Sequence, residues 1–131
     1  MTDPQSPLLL SIIELGGYPN FTPLYEGLGA RVLVETSMRK ALSLLKRERP
    51  RVVVAEFNFQ SDFRDRTSSL ESMLAVLQRQ PQARLVVFYE PEYAHQLQRL
   101  TDRHPVFATL AFPLDEEGLV RTIERALAAG D

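Results

Sequence analysis

The stretch Arg51-Val52-Val53-Val54-Ala55-Glu56 decides the fold. Four apolar residues closed by an acid, three of them β-branched, fit a strand covered on both faces, as strands of parallel sheets are. Similar runs recur on both sides of it: Leu8 to Ile13, Arg31 to Val34, Leu85 to Tyr89, and the less regular Val106 to Phe112. Between the runs lie helical patterns. Met38, Ala41, Leu42 and Leu45 have the spacing of one buried helical face, with Ser37 as N-cap. Leu70, Met73, Leu74 and Leu77 repeat that spacing, and Ser68 with Glu71 has the form of a capping box. Pro91 suits the first turn of a helix that turns Tyr93, Leu97 and Leu100 inward. A last helix starts near Asp115, buries Leu119, Val120, Ile123 and Leu127, and ends before Gly130. The first helix, Phe21 to Leu28, is short and interrupted by Pro23.

Strand and helix therefore alternate through the whole chain. That order predicts an α/β domain of three αβα layers, a five-stranded parallel sheet with helices on both faces. The length of 131 residues suits one domain spanning 1–131, with its core over about 7–129. Two connections are unusual: Gly16-Gly17-Tyr18-Pro19-Asn20 after the first strand, and Phe57 to Thr67 after the third, which is about twice the ordinary length.

Composition narrows the function. Fifteen Lys and Arg against seventeen Asp and Glu give a net charge of -2, without the basic surplus of a phosphate-backbone binder, so no nucleic-acid partner is expected. The absence of cysteine excludes disulfides, thiolate metal sites and cysteine nucleophiles, and two histidines are too few for a His-rich metal centre. No apolar run reaches a membrane span and Met1 to Pro7 lacks the basic start of a signal peptide, so a cytoplasmic protein without membrane contact is expected. Gly16-Gly17 lacks both the G-x-G-x-x-G spacing and a following Lys-Ser/Thr, and reads as a tight turn, not a phosphate cradle. Lys46-Arg47-Glu48-Arg49 with Arg51 reads as a solvated helix end, where cations suit the helix dipole. His95 and His104 read as surface residues of one helix.

Five βα units in this length, with Glu56 closing the third strand, resemble a response-regulator receiver domain (CheY-like) over nearly the whole chain. The resemblance implies flavodoxin-like topology, with strand order 2-1-3-4-5. It also implies a site at the strand ends. Glu56 takes the place of the phosphoaccepting aspartate and Asn58 the place whose backbone carbonyl helps bind magnesium. Glu14 is the one acid where the family has a pair, Tyr89 falls where a Ser or Thr follows the phosphoryl group, and Phe112 stands before Pro113 where the family has lysine. Glutamate carries its oxygen about 1.3–1.5 Å farther out than aspartate, where misplacements of ~1 Å cost about 100-fold in rate. Losing an acid weakens Mg²⁺, and losing the lysine removes the cation that offsets phosphoryl charge. The reading is a degenerate pseudo-receiver, not an enzyme: a signalling or adaptor module of bacterial two-component type, acting by protein–protein interaction independently of phosphorylation and needing no cofactor.

Glu56 has two readings, a fixed mimic of a phosphorylated aspartate or a solvated acid capping nearby amides. Glu14 and Glu56 are expected to lie close, joined by water, by weak Mg²⁺, or by Arg64 or Arg66. The aromatics Phe88, Tyr89, Tyr93, Phe107 and Phe112 either pack or make a partner surface. By resemblance, the partner, or a second copy in a homodimer, binds the face of the fourth helix, fifth strand and fifth helix, through Tyr93, Phe107 and Arg121. Glu56→Ala is expected to leave the fold intact and change partner affinity. Two alternatives stay open. One is residual Mg²⁺-dependent phosphoryl acceptance at Glu56, Asp62 or Asp65. The other is a small-ligand sensor at the strand C-terminal edge, with an apolar pocket lined by Tyr18, Phe57 and Tyr89.

Overall fold

A computed structural model describes residues 6–58 and 69–128. Among them the chain alternates strand and helix: β1 (Leu8–Ile12), α1 (Thr22–Gly27), β2 (Arg31–Glu35), α2 (Met38–Glu48), β3 (Val52–Phe57), α3 (Ser69–Leu77), β4 (Arg84–Tyr89), a 3-10 turn (Pro91–Tyr93), α4 (Ala94–Arg103), β5 (Ala108–Ala111) and α5 (Glu116–Ala128). The five strands form one sheet in the order β2-β1-β3-β4-β5. Every neighbouring pair is parallel. The architecture is the doubly wound sheet that the alternation of apolar runs predicts.

The sheet has two buried faces because successive side chains of a strand point opposite ways. One face carries Leu10, Ile12, Val53, Ala55, Leu85 and Val87, and packs against Ala41 and Leu45 of α2, Leu70 and Met73 of α3, and Leu97 and Leu100 of α4. The other carries Leu9, Val52, Val54, Val86 and Phe88, and packs against Tyr25 of α1 and Leu119, Ile123 and Ala126 of α5. β1 and β3 are buried along their full lengths, which is why they read as continuous apolar runs. The edge strands β2 and β5 are only partly covered.

Local chemistry sets the helix ends. Ser37 Oγ accepts from the Lys40 amide and caps α2. That helix ends at Arg49, which has a left-handed backbone (φ 50°). Asp115 Oδ2 accepts from the Gly118 amide at the start of α5. Pro23 does not interrupt α1. It sits in the first turn, where its missing amide hydrogen costs nothing. β1 ends at Ile12 and β5 spans only Ala108–Ala111, both shorter than the apolar runs that announce them. The Ser68 side of the capping box expected for α3 lies outside the described residues. So does nearly all of the long 57–67 connection, including Asp62, Arg64, Asp65 and Arg66. Phe57 itself closes β3 and is buried.

Candidate functional site at the C-terminal edge of the sheet

Parity along β3 fixes where Glu56 points. Val52, Val54 and Glu56 share the face toward α1 and α5, while Val53, Ala55 and Phe57 share the other. Glu56 is therefore carried under the loop that follows β1. It is only 2% exposed, so the sequence reading of a solvated acid is overturned. The amide-capping half of that reading stands. Glu56 Oε1 accepts from the Leu15 amide at 2.9 Å, and Oε2 from the Gly16 amide at 3.2 Å. Tyr18 Oη donates to Oε2 at 2.5 Å, and Asn58 Nδ2 donates to Oε1 at 3.2 Å. Among the described residues four donors thus serve one buried carboxylate, and such hydrogen bonds are what make a buried charge tolerable.

The extra methylene of glutamate and the Gly16-Gly17 pair explain each other. Both glycines have left-handed backbones (φ 70° and 84°), which turn the loop back over the strand ends. A side chain at either position would strain that turn. The loop in turn delivers Tyr18 onto the carboxylate. Leu15, by contrast, faces solvent at 74% exposure.

Behind the carboxylate stands a wall of rings. Tyr18 meets Phe88 edge-on at 5.4 Å between centroids and Phe112 at 5.5 Å, and Phe88 meets Phe112 edge-on at 5.9 Å. Tyr18 also stacks on Phe21 at 6.3 Å. The register explains Phe88: Glu56 pairs with Phe88, and Phe57 with Tyr89. Tyr89, which the sequence reading placed beside Glu56, is one residue too far along. It lies on the opposite face, against the layer of α2, α3 and α4. A one-residue step in a strand always changes the face. The sequence names Tyr18 for a ligand pocket and Phe88 among the packing aromatics, but does not place either beside Glu56, where the structure puts them.

The other expected residues are placed as follows. Asn58 and Phe112 join the Glu56 site. Glu14 is half-buried at the end of the β1 segment and near enough for its charge to act on Tyr18. Tyr93 packs against the α2–α4 layer and Phe107 against the α1–α5 layer, while Arg121 is exposed on α5. Tyr18 belongs to one layer, and Phe57 and Tyr89 to the opposite one, so the three do not share a face of the sheet. Instead a cleft of about 560 Å³ opens between the β1–α1 and β5–α5 loops, with Tyr18, Phe21 and Phe112 on its wall. His104 is not a plain surface residue: it caps α4, and its Nδ1 lies 2.6 Å from Gln78 Nε2.

The donor set does not suit the Mg²⁺ that the resemblance implies. That ion asks for oxygen ligands. Here the groups facing both oxygens of Glu56 are N–H and O–H donors, the Asn58 amide among them. Among the described residues no group of three or more Asp, Glu, His or Cys is assembled as ligands.

Burial raises the Tyr18 hydroxyl well above its ordinary value of 10.0, and the hydrogen bond to Glu56 and that carboxylate's charge raise it further. Burial also raises Tyr25. A raised folded-state value means the folded protein keeps protons that the unfolded chain loses above pH ~10, so stability is full below that pH and falls as pH rises through the alkaline range. The urea midpoint should therefore fall above pH ~10, and less steeply in Tyr18→Phe. Equal slopes for the two proteins would contradict the placement of Tyr18.

Solved structures share this architecture. A response-regulator receiver domain from Clostridium thermocellum matches with a TM-score of 0.74 at 17% identity, over 93% of this chain and 94% of that one. The fold is that of a receiver domain. The signal receiver domain of a modulated diguanylate cyclase from Desulfovibrio desulfuricans G20 gives 0.70 at 19% identity, covering 95% of both chains. A Francisella response-regulator receiver domain gives 0.71 at 14% identity, over 93% of this chain and 97% of that one. No family model and no curated protein matches the sequence. At these identities the receiver fold is what is shared. Near the C-terminal end of β3 in this fold, Glu56 is bonded into the first loop.

Proposed function

We propose that this receiver fold serves as a pseudo-receiver: a non-enzymatic signalling or adaptor module of a bacterial-type, cytoplasmic pathway that acts by protein contact without being phosphorylated. One observation carries the reading. Both oxygens of Glu56 are engaged by the Leu15 and Gly16 amides, the Tyr18 hydroxyl and the Asn58 amide. A nucleophilic carboxylate needs an approachable oxygen and a cation to offset the incoming phosphoryl charge. Here the approach is occupied by donors, and rings of Tyr18, Phe88 and Phe112 stand beside it.

The arrangement also supports a fixed signalling state. The carboxylate ties the end of β3 to the loop after β1, a link independent of any phosphoryl donor. Incubation with acetyl phosphate and Mg²⁺, followed by intact-mass spectrometry, tests the reading. The expected result is an unchanged mass under conditions that label a phosphorylatable receiver domain. Gain of one phosphoryl group, mapped to Glu56, would overturn it.

A further inference from the structure

The cleft at the C-terminal edge of the sheet has a chemistry of its own. The Gly16–Phe21 loop and the Phe112–Glu116 connection form its sides, and Glu90 stands at the end of β4. Tyr18, Phe21 and Phe112 supply three rings to the wall, and Glu90 and Glu116 supply carboxylates; among the described residues no Lys, Arg or His lines it. Both acids are exposed, and neither forms an ion pair among the described residues. At about 560 Å³ the space is far larger than a metal ion and within the range of sites that take side chains or small molecules. Next to it a shallow groove shares Glu116 and continues over Glu117, Val120 and Arg121 of α5.

Aromatic faces and unpaired carboxylates both attract a cation, and the apolar wall favours one carried on a hydrocarbon stem. A planar guanidinium satisfies all three features, since it stacks on rings and bonds carboxylates side by side. We infer that this cleft is the docking site for an arginine side chain presented by a basic segment of a partner protein. The inference rests on the reading of the domain as a protein-contact module and gives that contact its chemistry. It moves the contact from the face of Tyr93, Phe107 and Arg121 to the mouth between the β1–α1 and β5–α5 loops.

Fluorescence anisotropy with a labelled Gly-Ser-Arg-Arg-Ser-Gly peptide tests it, beside the same peptide with neutral citrulline in place of arginine. The arginine peptide should bind wild type, more weakly as salt rises, and the citrulline peptide should not. The double variant Glu90→Gln/Glu116→Gln should weaken binding about tenfold, as loss of two partly exposed charge contacts predicts. Both acids are on the surface, so the variant should fold, which circular dichroism checks. Phe21→Leu, which keeps apolar bulk and removes the ring, should also weaken binding. Failure of the arginine peptide to bind, equal binding of both peptides, or equal binding by wild type and double variant would overturn the inference. Self-association abolished by the double variant would overturn it too, by making a second copy the occupant through its exposed Lys46–Arg49 segment. None of these outcomes bears on phosphorylation of Glu56, so the two readings fail separately.

Discussion

Glu56→Ala should lower stability by about 3 kcal/mol or more, a fall in melting temperature of roughly 10 °C. The sequence view, in which Glu56 ends a strand in solvent, expects the fold to tolerate this change. The structure reverses that expectation. Removing the carboxylate strands the Leu15 and Gly16 amides, the Tyr18 hydroxyl and the Asn58 amide around a small void. A buried donor left without an acceptor costs ~1–3 kcal/mol, and water entering the void recovers only part of the loss of several. Glu56→Gln keeps one acceptor oxygen but turns an NH2 toward donors, so it should fall between alanine and wild type. Glu56→Asp is the sharper comparison. It restores the residue type of a phosphoacceptor but withdraws the carboxylate by about 1.5 Å, out of reach of the loop amides. It should destabilise the fold despite being the smaller chemical change. Urea unfolding of the three variants gives the order, and an aspartate variant as stable as wild type would contradict the role given to the loop contacts.

Phe88→Ala should cost about 3–5 kcal/mol, in the range of large-to-small changes at fully buried rings. Phe88 is 1% exposed, sits opposite Glu56 in the sheet, and makes edge-on contacts with both Tyr18 and Phe112. Its loss removes the ring against which Tyr18 is set, so the tyrosine–carboxylate bond should loosen as well. The two sites share Tyr18, and the double variant Glu56→Ala/Phe88→Ala should therefore lose less than the sum of the single losses. Tyr89→Ala is the control. That side chain is half-buried on the other face and should cost less. If Tyr89→Ala proved the more damaging, the β3–β4 register described here would be wrong. Denaturant midpoints with unchanged slopes would show that the losses belong to the folded state.

The contrast between Phe88 and Tyr89 shows what the sequence could and could not convey. Strands buried on both faces, such as β1 and β3, advertise themselves as apolar runs, so the layers and the order of elements were legible. The helices carry their own marks, as in Ser37 and the Met38 to Leu45 face. A run that is apolar throughout, however, does not say which residue looks which way. Only the pairing of Glu56 with Phe88 fixes that, and pairing is a property of two strands together. The bond of Tyr18 to Glu56 was hidden for a different reason. The Gly16-Gly17 turn was legible as a turn, but its destination depends on the left-handed backbone of both glycines and on a carboxylate 38 residues away in the chain. Glu56 and Phe112 were found because they lie at or just past strand ends, and strand ends in a parallel sheet gather at one edge. Of the cleft carboxylates, Glu90 lies in a connection with no periodic pattern, and Glu116 opens α5, where the helical pattern marks the apolar face and not this exposed acid.

The proposed pseudo-receiver requires that Glu56 be closed to phosphoryl transfer because the first loop already holds it. The most direct measurement follows the amide resonances of Leu15 and Gly16 by NMR as Mg²⁺ and then acetyl phosphate are added. Both resonances should stay in place, since in a pseudo-receiver their acceptor neither takes up a metal nor changes its charge. Saturable shifts of both, together with the Asn58 side-chain amide, would show that the carboxylate exchanges these donors for a metal or a phosphoryl group, and would contradict it.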